Sequence, residues 1–147
     1  DAIPLAKLGF IVTGIDNSTV GIDQLNKIAT TENLSLIGRV EDIYNYSNFD
    51  QFDHILLDSM FHFGKKERAK EVNFLNRLIT TSKPNTVITI CIQKIGKKLE
   101  ILHTLISNRA DLEIIHQKEL IYKYEDKASN HSSVTKYEMV VIKKVKQ

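Results

Sequence analysis

Apolar positions along the chain switch between a strand-like and a helix-like spacing. Gly9-Phe10-Ile11-Val12-Thr13-Gly14-Ile15 is a short β-branched run that stops at Asp16 and is followed by Asn17-Ser18-Thr19, as a buried strand running into a capped helix should be. Ile22, Leu25, Ile28 and Ala29 then recur at helical spacing, and 34–40 is a second apolar run before Glu41-Asp42. The pattern predicts strand, helix, strand. After a polar loop, 52–58 is a third run ending on an acid. Val72, Leu75, Leu78 and Ile79 mark one face of a long helix opened by Lys65, Lys66, Glu67 and Arg68. Pro84 and Asn85 interrupt, 86–92 is the most continuous β-branched stretch, and Leu99, Leu102, Leu105 and Ile106 mark another helix. Alternation of this kind predicts an α/β domain with a mostly parallel sheet.

The last third breaks the alternation. Segments 112–115, 119–124 and 137–145 are extended, with no helix between the last two and a polar loop at 125–136. They predict an antiparallel hairpin closing the sheet. A doubly wound dinucleotide-binding domain would be expected to continue with helices, so the hairpin argues against that class.

Composition narrows the picture further. The chain has 147 residues, 42% of them hydrophobic and 26% charged, the size of one domain. No apolar run approaches the roughly 20 residues of a membrane helix, and no basic segment followed by an apolar one opens the sequence. The single cysteine, Cys91, lies inside an apolar run and can form neither an internal disulfide nor a cysteine metal cluster, which points to a cytoplasmic protein. The histidines His54, His103, His116 and His131 show no metal-ligand spacing, so no metal is expected. Net charge is only +2, but residues 1–63 carry nine acids against three bases and the remainder nine acids against seventeen bases. That imbalance is either solvated surface or attraction for an anionic partner.

In this order of elements the sequence resembles the class I S-adenosylmethionine-dependent methyltransferases, and among them the small stand-alone tellurite-resistance type. Ala2-Ile3-Pro4-Leu5-Ala6-Lys7-Leu8, with Asp1 before it and the run to Asp16 after it, is similar to that family's first helix, second strand and acidic strand end. Phe52-Asp53-His54-Ile55-Leu56-Leu57 is similar to its fourth strand, Met60-Phe61-His62-Phe63 to its aromatic, histidine-bearing segment, and Lys83-Pro84-Asn85 to the turn before its fifth strand. The resemblance implies a Rossmann-like methyltransferase sheet with a C-terminal antiparallel hairpin, in a single domain over 1–147. One departure stands out. The family's glycine-rich loop has no counterpart among Gly9, Gly14, Gly21, Gly38, Gly64 and Gly96, so the expectation is that the first strand and its loop lie upstream of Asp1 or are supplied by something else.

The resemblance implies S-adenosylmethionine as cofactor and a set of site residues. Asp16, with Asn17 beside it, would accept hydrogen bonds from the ribose hydroxyls; the alternative is that it only caps the following helix. Asp42 would meet the adenine amino group and Ile43 the ring face, or both belong to a plain polar loop. Asp58 and Ser59 follow the central strand, where ligands collect in open α/β sheets. His62 is the candidate catalytic base, since an imidazole titrates near 6.5, unless it is packed or lines the substrate. A sulfonium methyl needs mainly alignment, so no base is required. Asp58-Ser59-Met60-Phe61 lacks the prolines of enzymes that methylate amino groups of bases, and Cys91 is not placed for attack on a pyrimidine. A small-molecule substrate is therefore expected rather than nucleic acid, with no membrane partner and the oligomeric state open. A non-catalytic partner subunit of the same fold is the alternative, and an NAD-binding oxidoreductase domain a more distant one.

Overall fold

The computed structural model describes residues 2–145; Asp1, which figures in the expectations above, lies outside them. The chain forms two compact units that divide after Ser47.

The first unit is a small α/β layer. Helix α1 (Ala2–Lys7) leads into strand β1 (Val12–Asp16), helix α2 (Thr19–Thr31) and strand β2 (Leu36–Val40). β1 and β2 pair in parallel, Val12 opposite Leu36 and Asp16 opposite Val40. Ala6, Ala29 and Leu36 are buried together with Val12, Leu25 and Leu34 packed around them. Close approach of α2 explains Gly38: a Cβ there would meet Leu25 Cδ2 at 3.1 Å and Asn26 Oδ1 at 3.2 Å. Asn26 uses that proximity, its Oδ1 accepting from the Gly38 N–H at 2.8 Å and its Nδ2 donating to the Gly38 carbonyl at 3.2 Å. β1 begins later than the apolar pattern suggests. Ile11 is 90% exposed and Phe10 53%, so the run from Gly9 is loop as far as Ile11, because neither residue finds a layer to cover it.

Ser18, not Asp16, caps α2. Its backbone is extended (φ −81, ψ 110) and its hydroxyl accepts from the Gly21 N–H at 3.0 Å. Ser18→Ala should therefore lower stability by about 1 kcal/mol, read as a shift in the urea denaturation curve.

The second unit holds strand β3 (His54–Asp58), helix α3 (Arg68–Thr81), strand β4 (Val87–Gln93), helix α4 (Lys98–Ser107) and strands β5 (Leu112–Asp126) and β6 (His131–Lys144). The sheet order is β3-β4-β6-β5, with β3 and β4 parallel and the other two pairings antiparallel. This is the mixed α/β arrangement expected, with the antiparallel end that a dinucleotide-binding domain would lack. Ile88, Ile90, Ile92, Val140 and Ile142 lie on one sheet face and are sealed, as are Leu75, Leu78 and Ile79 of α3 and Leu102 of α4. The hairpin differs from its expected outline. Positions 112–115 and 119–124 form one strand with a bulge at Ile115, and the polar stretch 131–136 is strand too. Backbone pairing, not burial, holds those residues, so no apolar period marks them.

Cations gather where α3 ends. Lys144, almost fully buried, donates from Nζ to the carbonyls of Thr80 and Ser82 at 2.8 and 2.6 Å, satisfying acceptors that the helix leaves open. Arg109 reaches Asn76 and Thr80 and pairs with Asp111 through two bonds of 2.9 and 2.8 Å. The Arg109 guanidinium holds the Asp111 carboxyl below its usual range. A depressed carboxyl stabilises the fold above the ordinary carboxylate pKa of about 4, and this contribution is lost as pH falls through the lowered value. Asp111→Asn should thus be less stable than the parent at pH 7, the gap closing on acidification; a gap independent of pH would show that the pair adds nothing through its charge.

Candidate functional site

Asp16 ends β1 and Asp42 follows β2, and the parallel pairing puts both at the carboxyl edge of the first unit's sheet. The Glu41 N–H donates to the Asp16 carbonyl at 3.0 Å, tying the two strand ends together. The Asp16 side chain is exposed. One oxygen accepts from the Ser18 N–H at 3.1 Å, and among the described residues no cation pairs with the carboxylate, so an oxygen is open to a pair of hydroxyls. Asn17 is exposed beside it. Asp42 is more engaged: Oδ1 accepts from the Tyr44 N–H at 3.0 Å and caps the short 3-10 turn Ile43–Asn45, on which Ile43 is half-buried. Neighbouring Glu41 has its Oε2 shielded from solvent without a hydrogen bond, with Arg39 Nε 3.6 Å away.

In the second unit, Asp58 closes β3 opposite Cys91 of β4. Ser59 turns the chain with φ +56; its N–H donates to the Cys91 carbonyl at 2.9 Å and its hydroxyl to Asp58 Oδ1 at 3.1 Å. Burial, and after it the Asp58 carboxylate, push the Cys91 thiol up, which opposes a thiolate nucleophile.

The segment after Ser59 alternates. Phe61 and Phe63 are buried and stacked, 5.4 Å between centroids and 9° between planes, while His62 between them is exposed. The device that holds this shape has no signature in the sequence. Glu71, in the first turn of α3, is 3% exposed, and its Oε2 accepts from the N–H groups of both His62 and Phe63 at 2.9 Å. Arg68 Nε donates to the Phe63 carbonyl at 3.1 Å. His62 is thus presented on the surface of its unit, its backbone fixed. Its side chain is not a packed core group.

The expected residues fall into two groups. Asp16, Asn17, Asp42 and Ile43 lie together at one strand edge of the first unit; Asp58, Ser59 and His62 lie within five residues of one another at the carboxyl end of β3 in the second. Each group occupies the end of its parallel strands where open α/β sheets bind ligands. Among the described residues no group of three or more histidine, cysteine or acidic side chains is arranged to hold a metal ion, and no helix is long and apolar enough to cross a membrane.

The profile of the family described as tellurite resistance protein TehB matches residues 1–131. No curated protein matches the chain at a significant level. Solved structures do. TehB from Haemophilus influenzae aligns with a TM-score of 0.71 and 17% identity, covering 97% of this chain and 53% of the other, so this chain spans about half its length. An S-adenosylmethionine-dependent methyltransferase from Methanosarcina mazei aligns at 0.69 and 14% identity, over 99% of this chain and 87% of that one. A branched-chain polyamine synthase from Thermus thermophilus reaches 0.76 at 11% identity, over 98% and 47%. At such identities the likeness establishes the fold.

Proposed function

The chain belongs to the TehB family, small class I methyltransferases of the S-adenosylmethionine-dependent type, and from that premise we propose that it binds S-adenosylmethionine and transfers the methyl group to a heteroatom of a small molecule. The observation that carries the reading is Asp16: an exposed carboxylate at the end of a parallel strand, with an oxygen left open by its local hydrogen bond and with the helix cap assigned elsewhere. Two ribose hydroxyls are the donors such a group accepts, as charge-assisted bonds.

When bound, the cofactor supplies a methyl group on a sulfonium, which an incoming lone pair displaces in line while the S–C pair returns to sulfur. The protein's part is recognition and alignment. Asp16 accepts from the ribose, with Asn17 at the same rim. Asp42 contributes its oxygens only as far as the Tyr44 N–H leaves them available, and Ile43 offers an apolar face. Asp58 and Ser59 present a hydroxyl and carboxylate already bonded to each other. His62 takes the nucleophile's proton where the nucleophile carries one.

Titration with S-adenosylhomocysteine of a protein that includes the residues upstream of Asp1 tests this directly. Heat of binding in the micromolar range is expected, and none at millimolar ligand would overturn the proposal. The alternative, a non-catalytic partner subunit of the same fold, predicts a silent titration.

A further inference from the structure

β5 is the outer strand of its sheet, and most of its length has no partner on the far side. β4 follows β6 only from Tyr137 onward, so 121–126 and 131–136 project as a two-stranded ribbon beyond the rest of the sheet. The ribbon and its base carry exposed apolar side chains on both faces: Leu120, Tyr122 and Tyr124 on one, Ile121 and Val134 among the charged Lys123, Glu125 and Lys136 on the other, with Ile121 56%, Tyr122 61% and Val134 62% exposed. A lone two-stranded ribbon is marginal in water, and a long open edge is a template for another strand. Nothing blunts it past the bulge at Ile115; there is no proline and no further irregularity.

We propose that this edge pairs antiparallel with the same edge of a second copy of the chain, with the two-fold axis at Ile121. Symmetry limits the choice, because a two-fold between antiparallel strands must map hydrogen-bonded pairs and sheet faces onto themselves, so one residue has to lie opposite its own copy. With Ile121 on the axis, Leu120 faces Tyr122 of the second copy, Glu119 faces its Lys123, and Lys118 faces its Tyr124; each pair occurs twice. An axis at Tyr122 would set Glu119 against Glu125, and an axis at Leu120 would set Gln117 against Lys123 and Glu119 against Ile121. Of these registers, only the one at Ile121 sets apolar against apolar and acid against base at the pairs flanking the axis. Glu119 is prepared for it. Lys94 of the same chain sits 2.6 Å from Glu119 Oε2 and holds this carboxyl below its usual range, so it is charged and fixed in place, with a second oxygen for the incoming lysine. The lysines that guard many edges are here matched across the axis. The resulting sheet runs continuously through eight strands.

Sedimentation of the intact chain from low to high micromolar concentration should give a dimer. In a Cys91→Ser background, Ile121→Cys should form an intermolecular disulfide on mild oxidation. Leu120→Cys and Tyr122→Cys should not, since each lies opposite the other and not itself, beyond the reach of a disulfide. Lys123→Glu, which sets like charges opposite each other twice, should raise the dimer dissociation constant about tenfold or more. Lys65→Glu, in the exposed turn after β3 at the opposite edge of the sheet, should leave it unchanged. A monomer at every concentration overturns the proposal, and so does a dimer that cross-links at Leu120 or Tyr122 instead of Ile121, or one indifferent to Lys123→Glu.

Discussion

Asp16→Ala should weaken S-adenosylhomocysteine binding by about 1.5 to 3 kcal/mol, roughly 10- to 150-fold, the usual loss for charge-assisted hydrogen bonds. Stability should change by less than about 0.5 kcal/mol, as for surface substitutions away from structural devices. The separation of the two effects follows from the geometry. Asp16 receives one local hydrogen bond, from the exposed Ser18 N–H, and water replaces that acceptor easily. Capping of α2 rests on the Ser18 hydroxyl, which the substitution leaves in place. Calorimetric titration and urea denaturation on the same protein decide the matter. Equal losses in binding and folding would make Asp16 a structural residue and remove the main support for the proposed site. Asp42→Ala makes a useful contrast: its carboxylate caps the turn Ile43–Asn45, so its loss should register in stability as well, and more weakly in binding, because water can take over a single amino contact.

What the sequence made legible were the elements with a buried side. 86–92 reads as a strand because Ile88, Ile90 and Ile92 had to be covered, and the helical spacing of Leu75, Leu78 and Ile79 persists in α3 for the same reason. Acids at strand ends were legible because a carboxylate interrupting an apolar run marks the strand's exit. The failures share the opposite property. Phe10 and Ile11 look like core but are exposed, since composition cannot tell whether a layer exists to cover them. The far hairpin, polar or exposed on both faces, has no period to read and is recognised only by its backbone pairing. Glu71 was invisible for a different reason. Its two hydrogen-bond partners are backbone amides eight and nine residues earlier, and side chains that serve backbone leave no complementary residue type in the sequence.

Glu71 carries the largest expected effect on folding. A carboxylate with 3% exposure is costly to bury unless its charge is answered, and here the answer is two N–H groups converging on one oxygen. The turn they fix is itself strained, because Phe63 adopts φ +50, a left-handed conformation that a bulky residue avoids. Burial of the Phe61 and Phe63 rings and the hold of Glu71 and Arg68 on either side of Phe63 together offset that strain. Glu71→Ala leaves two amides without an acceptor, one of them buried, and should cost about 2 to 4 kcal/mol in urea denaturation at neutral pH. Glu71→Gln keeps an acceptor oxygen of the same reach while losing the charge, so it should recover most of the stability and fall short by about 1 kcal/mol. Hydrogen exchange supplies the local readout. Amides of His62 and Phe63 should lose protection in Glu71→Ala well before those of β4, because the clamp acts on the turn and not on the sheet. A Glu71→Ala protein as stable as the Gln variant, with those two amides still protected, would mean that the stacked phenylalanines hold the turn unaided and that the orientation of His62 does not depend on α3.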